Sequence, residues 1–349
     1  MKVNDAKRLV KNIAEKQVRV SLLFVGQMGI GKSQIVKQAA EELNIGFIDL
    51  RLSQQEPGDL IGIPFRDGNE TRHAKPEWWP EPNTRGILFL DEINRAPTDV
   101  RQSVFQLVLD GHLHTHLLPP GWVVVSAVNP DNSNYQVESL DKAMVRRFCA
   151  LVLEPDVESW LAWAHGAGKV RKEITGFIAA QKQALFRKEE VSIATEESPD
   201  GWTMLGRLLD AEVIPKDLEY EVFAGLVGKE NATAFRRYLD SNFSRPVSGE
   251  DLLNNYDKVR AKLEKQKNDE MYATVTDLVA LCESLKKPKK EQVANLILFI
   301  KNEAVSQEIK VLTVKKLPKD YVHFLIKDSA VTALITKFLD EAAKLDEKK

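Results

Sequence analysis

The stretch Gly26-Gln27-Met28-Gly29-Ile30-Gly31-Lys32-Ser33 constrains the fold of this chain more than any other. It carries G-x-x-x-x-G-K-[ST] at every fixed position, directly after the apolar run SLLFV at 21–25. Ile35, Val36, Ala39, Ala40 and Leu43 follow at helical spacing, so the loop joins a strand to a helix. Glycines let backbone N–H groups turn inward around a polyphosphate, and a helix N-terminus adds the positive end of its dipole. Lys32 is placed to reach the outer phosphates as a point charge, and the Ser33 hydroxyl to ligate Mg²⁺. A glycine turn that merely joins strand to helix is the bland alternative, and it leaves Gly-Lys-Ser without a reason. The stretch predicts a nucleoside triphosphate site over 26–33.

Length and composition set wide bounds around that loop. A chain of 349 residues suggests two or three domains and is ample for a buried core. A formal net charge of −2 gives no global drive toward nucleic acid or an anionic membrane. Cys149 and Cys282 lie far apart without metal-ligand spacing, and their apolar surroundings predict two buried thiols. The N-terminal MKVNDAKRLVKNIAEKQ has no apolar core, so it does not read as a secretory signal. No stretch approaches a membrane span, and the cytoplasm is the expected location.

Along the chain, 4–16 reads as an amphipathic helix, 18–25 as a strand and 45–52 as a second strand. Residues 53–85 carry Pro57-Gly58, Pro64, Asp67-Gly68, Pro76, Pro80 and Pro82, which is loop chemistry. Trp78-Trp79 within it reads more simply as a pin to the domain surface than as a substrate platform. Gly86-Ile87-Leu88-Phe89-Leu90-Asp91-Glu92 is an apolar run suited to a strand buried on both faces. Its two terminal carboxylates stand where ligands sit in open α/β sheets. Asp91 would meet the Mg²⁺ held by Ser33, and Glu92 could polarise an attacking water.

A helix is expected over 97–110, and His112, His114 and His116 then alternate along a short strand. They would share one face, but no carboxylate or cysteine completes a metal set, and a polar solvent-facing edge opposite Leu113 is the simpler reading. The strand 122–128 ends at Asn129-Pro130, where a polar side chain could orient water beside Glu92 or simply initiate a turn. A helix over 140–147 ends in Arg146-Arg147, which could do no more than complement its dipole, before a last strand at 149–153.

Taken in order over 5–155, these features resemble the AAA+ ATPases of the MoxR-like and dynein-related branch. The resemblance rests on GQMGIGKS, ILFLDEINRAP at 87–97, AVNP at 127–130 and LDKAMVRRF at 140–148. It implies an α/β fold: a phosphate-loop NTPase core (1–155) with a parallel five-stranded sheet, an all-helical lid (156–242) and a helical C-terminal extension (243–349). It also implies a hairpin at 108–121, inserted inside the helix that follows Asp91-Glu92. Asn129 falls at the sensor that monitors the γ-phosphate. Arg147, with Arg146 as alternative, falls at the arginine finger that enters a neighbouring subunit's site, and Arg95 lies near the expected boundary. ATP and Mg²⁺ are the implied cofactors, with Ser33 and Asp91 as metal ligands. Self-assembly into a ring, usually a hexamer, and a von Willebrand factor A-type partner are implied as well.

One position departs from the pattern. Lids of this branch usually begin Ser-Pro-Arg, and here the stretch reads Ser198-Pro199-Asp200, with Arg207 two turns further on. Helices are expected at 160–164, 174–186, 202–209, 218–226 and 232–239, and longer charged ones beyond Pro246. The basic turn 286–290 reads as a solvated loop, and the tail 340–349 as frayed. The leading expectation is a ring-forming ATPase that remodels protein partners. A nucleic-acid translocase or helicase-type motor, and a weakly hydrolysing nucleotide-dependent switch, are the alternatives.

Overall fold

Leu22–Val25, 87–90 and 122–125 are apolar at every position, and runs of that kind need cover on both faces. They form the middle of the sheet. The computed structural model describes residues 1–129, 140, 142–186, 198–240, 245–285, 287–333 and 336. Pro130, Asp141, Lys286 and the tail 340–349 lie outside the described residues. The chain divides into two compact units, Met1–Asp156 and Val157–Lys349.

The first unit runs α1 (Val3–Lys16), β1 (Leu22–Val25), α2 (Lys32–Leu43), β2 (Gly46–Arg51), α3 (Pro57–Ile61), β3 (Pro64–Asp67), β4 (Glu70–His73), β5 (Arg85–Asp91), α4 (Thr98–Asp110), β6 (His112–Leu113), β7 (His116–Leu117), β8 (Gly121–Val128), α5 (Lys142–Val145) and β9 (Cys149–Val152). Five strands make one sheet in the order β2-β5-β8-β1-β9, all parallel. Leu88, Leu90, Val124 and Val128 pack with Val100, Val104 and Leu107 of α4 in one core cluster. α1 and α2 pack against the sheet through β8, β5 and β2.

Several expectations shift here for local reasons. The first strand begins at Leu22 rather than at 18, because Gln17 leaves α1 with φ 53° and Val18 bonds back to Ile13 O. The supposed loop 53–85 contains α3 and the antiparallel β3–β4 hairpin, turned at Gly68 with φ 62°. Trp78 and Trp79 pin the segment that follows: Trp79 is buried, and Trp78 Nε1 donates to Asp59 O at 3.1 Å.

The three histidines do not share one strand face. His114 turns at φ 52° between β6 and β7, and His116 is buried with Nε2 3.1 Å from the Ile61 carbonyl. This hairpin follows α4, which Gly111 ends in the left-handed region, instead of interrupting it. Cys282 is buried as expected, but Cys149 is exposed, because β9 is an edge strand with most of its side chains outward.

The second unit is helical throughout its described elements: α6 (Val157–His165), α7 (Lys172–Ala180), α8 (Pro199–Asp210), α9 (Glu219–Val227), α10 (Lys229–Leu239), α11 (Gly249–Asn254), α12 (Tyr256–Leu263), α13 (Asn268–Ser284), α14 (Lys290–Lys301), α15 (Gln307–Lys316) and α16 (Lys319–Leu325). It holds two core clusters. One gathers α6–α10 around Phe177, whose ring centroid lies 5.3 Å from Trp202 and 5.2 Å from Phe235. The other runs from Val247 to Val331 and takes in Leu252, Leu253, Tyr256, Met271, Leu278 and Cys282.

Helix α13 joins the two clusters. Ala280 belongs to the first, and Asp277 is almost fully buried between His165 Nε2 at 2.7 Å and the Gly249 N–H at 2.7 Å. A Cβ at Gly249 would stand 2.4 Å from Leu278 N, so only glycine permits this approach of α11 to α13. Ser198 caps α8, its Oγ accepting from Gly201 N at 3.2 Å with Pro199 in the first turn. Asp200 therefore stands at a helix N-terminus, where an acid complements the dipole. Burial raises its carboxyl above the ordinary range, and Arg207 opposes that shift.

Candidate active site

Parallel strands bring their carboxyl ends to one edge of the sheet, and here three of those ends are neighbours. Val25 of β1 lies opposite Val128 of β8, and Leu90 of β5 opposite Ser126 of β8. The residues that follow, from Gly26, Asp91 and Asn129 onward, thus meet at the edge where ligands sit in such sheets.

The glycine loop leads from β1 into α2. Gly29 and Gly31 have φ of 77° and 92°, which only glycine adopts readily. Gly31 caps α2 without any side-chain hydrogen bond, and the first turn of the helix holds no acidic residue. Its leading N–H groups consequently face the loop with no side chain claiming them, an arrangement suited to an anion.

Lys32 is 9 % exposed and spends its three N–H groups on the protein itself. Nζ donates to Gly26 O at 2.7 Å, Gln27 O at 2.8 Å and Asn129 Oδ1 at 2.9 Å. Burial pushes the amine down from 10.5 to about 8; Asp91 and Glu92 pull it back, and Arg95 adds to the fall. A lysine with a lowered folded pKa carries a stability cost at pH below about 8, and the cost fades as pH rises toward the unfolded value. A phosphate would reverse the depression. We expect triphosphate affinity to weaken as pH rises through about 8, with proton uptake on binding above it. Titration calorimetry in two buffers of different ionisation enthalpy reads both quantities, and a flat affinity without uptake would refute the role given to Lys32.

Asp91 ends β5. Burial raises its carboxyl above the ordinary range, while the Glu92 N–H, which donates to Oδ1 at 2.9 Å, and Lys32 act in the opposite sense. Glu92 adopts φ 54° and ψ 36°, a conformation sparsely used by residues with a side chain. Its two oxygens are both engaged: Ser53 Oγ donates to Oε2 at 2.5 Å, and Arg95 Nη1 lies 3.1 Å from Oε1. The Ser53 contact was not visible in the sequence, because Ser53 follows β2 and nothing marks it as a partner of Glu92.

Asn129 is buried, with Oδ1 on Lys32 and its main-chain carbonyl accepting from Asn94 Nδ2 at 2.9 Å. Asn94 also went unnoticed, although an amide inside DEINRAP was the one signal available. The two arginines divide. Arg146 is exposed, whereas Arg147 is half-buried, its guanidinium 3.8 Å from the Phe105 ring centroid and bonded to Ala143 O. Among the described residues no group of three or more His, Cys, Asp or Glu side chains could hold a metal on its own.

A five-stranded parallel sheet in this order, with a glycine loop between its β1 and a helix, defines the phosphate-loop α/β class. Residues 21–148 match the family described as "AAA domain (dynein-related subfamily)".

Solved structures with similar chains include an ATPase candidate from Cytophaga hutchinsonii ATCC 33406, 15% identical, covering 68% of this chain and 89% of that one at a TM-score of 0.37. The Thermotoga maritima RuvB Holliday junction branch migration motor is 15% identical over 92% of this chain and 86% of its own, at 0.36. The S. cerevisiae Hsp104–ADP complex is 18% identical over 43% and 32%, at 0.29. No curated protein matches the chain.

Proposed function

We propose that this chain is a ring-forming, Mg-ATP-hydrolysing AAA+ ATPase of the MoxR-like kind that remodels or matures protein partners. The observation that carries the reading is the convergence of Lys32, Asp91, Glu92 and Asn129 beside an uncapped helix N-terminus. A Cβ at Gly31 would meet nothing within 4 Å, so the loop borders open space where phosphates can lie. The Ser33 hydroxyl and the Asp91 carboxylate are the hard oxygen donors that Mg²⁺ prefers, and they would hold it. When bound, that ion neutralises phosphate charge.

The remaining work falls to the chain's own side chains. Lys32 exchanges one of its three present acceptors for a phosphate oxygen. Glu92 leaves Ser53 and Arg95 to take a proton from the attacking water. Asn129 orients that water or the γ-phosphate. Arg147, or the exposed Arg146, enters the site of a neighbouring subunit, which calls for a ring, a hexamer in most of the family. In the single chain Lys32 is saturated and Glu92 is tied, which supports a low basal rate. A von Willebrand factor A-type protein is the proposed partner, on family resemblance alone.

Mg²⁺-dependent ATP turnover by the purified chain tests the reading. We expect phosphate release to rise more than linearly with protein concentration as rings assemble. Turnover strictly proportional to concentration would remove the ring, and none at any concentration would remove hydrolysis.

A further inference from the structure

One buried amide lies where fold stability gives no reason for one. Asn94 sits on the single 3₁₀ turn Ile93–Arg95, two residues past Glu92, and is 4% exposed. Its Nδ2 donates to the Asn129 carbonyl, while its Oδ1 is buried without a partner among the described residues. A half-satisfied amide destabilises relative to an apolar side chain of similar shape. Departures of this kind concentrate at functional sites.

The one bond that Asn94 does make is placed to matter. Asn129 Oδ1 accepts from Lys32 Nζ, so a continuous chain runs from the Glu92 turn through Asn94 and the Asn129 main chain to Lys32. We infer that Asn94 is a positioning residue for phosphate-bond cleavage, fixing the Asn129 main chain in register with Glu92. It touches no reacting atom. The inference rests on the proposed hydrolysis reading. During turnover Lys32 and the Asn129 side chain both release each other toward the outer phosphate. The Asn94 bond is the contact that survives this exchange, because it holds the backbone and not the side chain. Without it the Asn129 carbonyl is free to rotate and its amide drifts out of line. Misplacement by about 1 Å costs on the order of 10²-fold in rate.

Asn94→Leu keeps the branching at Cγ with a somewhat larger side chain, and removes both the donor and the unsatisfied oxygen. The expected result is a melting temperature at or above that of the unsubstituted chain, ATP affinity within about 3-fold, and kcat about 30–100-fold lower with KM nearly unchanged. Asn94→Asp supplies a readout that packing alone would not move. Its ionised carboxylate cannot donate to Asn129 O and its protonated form can, so kcat should recover as pH is lowered, relative to the parent profile.

Parent-like kcat in Asn94→Leu overturns the positioning role. So does a parallel loss of melting temperature and ATP affinity, or an Asn94→Asp profile that tracks the parent. Two controls separate the levels: absence of ATP turnover in the parent removes the hydrolysis reading, and this inference falls with it, whereas parent-like turnover by Glu92→Gln removes Glu92 from the chemistry and overturns the register between it and Asn129.

Discussion

Glu92→Gln is expected to lower ATP turnover by on the order of 10²–10⁴-fold while leaving nucleotide binding intact. The amide has the volume of the carboxylate and its oxygen can still accept from Ser53 or Arg95, so the resting geometry survives. What disappears is the ability to take a proton from water. Binding should be preserved because the groups proposed to face the phosphates, the loop amides and Lys32, lie between β1 and α2 and at the start of α2, whereas Glu92 follows β5. Steady-state phosphate release and fluorescent-nucleotide titration measure the two quantities separately. Unchanged turnover would remove Glu92 from the chemistry, and lost binding would make its role structural.

The arginine proposed to come from a neighbouring subunit is expected to carry the second large effect. Arg147→Ala is expected to reduce turnover by on the order of 10³-fold, the usual scale of an arginine finger. Mixing Arg147→Ala with Lys32→Ala subunits should restore part of the activity. In such a ring an intact nucleotide site can face an intact arginine. The stacking of Arg147 on Phe105 makes a control necessary, because removing the guanidinium also removes a cation–π contact within the subunit. Arg146→Ala provides it. If the exposed Arg146 is the finger, its mixture rescues and that of Arg147 does not. Rescue by neither mixture would end the proposal of a finger in trans.

How legible the molecule was depended on the range of the interaction concerned. The course of α2 was readable from Ile35, Val36, Ala39 and Ala40, and all four are buried where helical spacing puts them. The start of α8 is expected at 202, three residues late, although Ser198 and Pro199 supply a cap and a first-turn proline that act within four residues. The β3–β4 hairpin was not readable, because Pro64–Asp67 and Glu70–His73 are exposed along nearly their whole length and show no apolar alternation. Cys149 misled for a related reason. An apolar neighbourhood in sequence says nothing of whether a strand ends up central or at an edge, and β9 is at the edge.

From sequence alone came the glycine loop, the apolar strands that flank it, and the carboxylate pair at the end of β5. Each is written in consecutive residues whose backbone conformation and burial obey local rules. Only the tertiary structure decided what those groups touch. Lys32 meets Asn129 across 97 positions, Ser53 meets Glu92 across 39, and Asn94 meets the Asn129 main chain across 35. The strand order β2-β5-β8-β1-β9 sets which carboxyl ends are neighbours. Hydrogen-bond partners between such ends follow from that order, and no residue spacing along the chain encodes it.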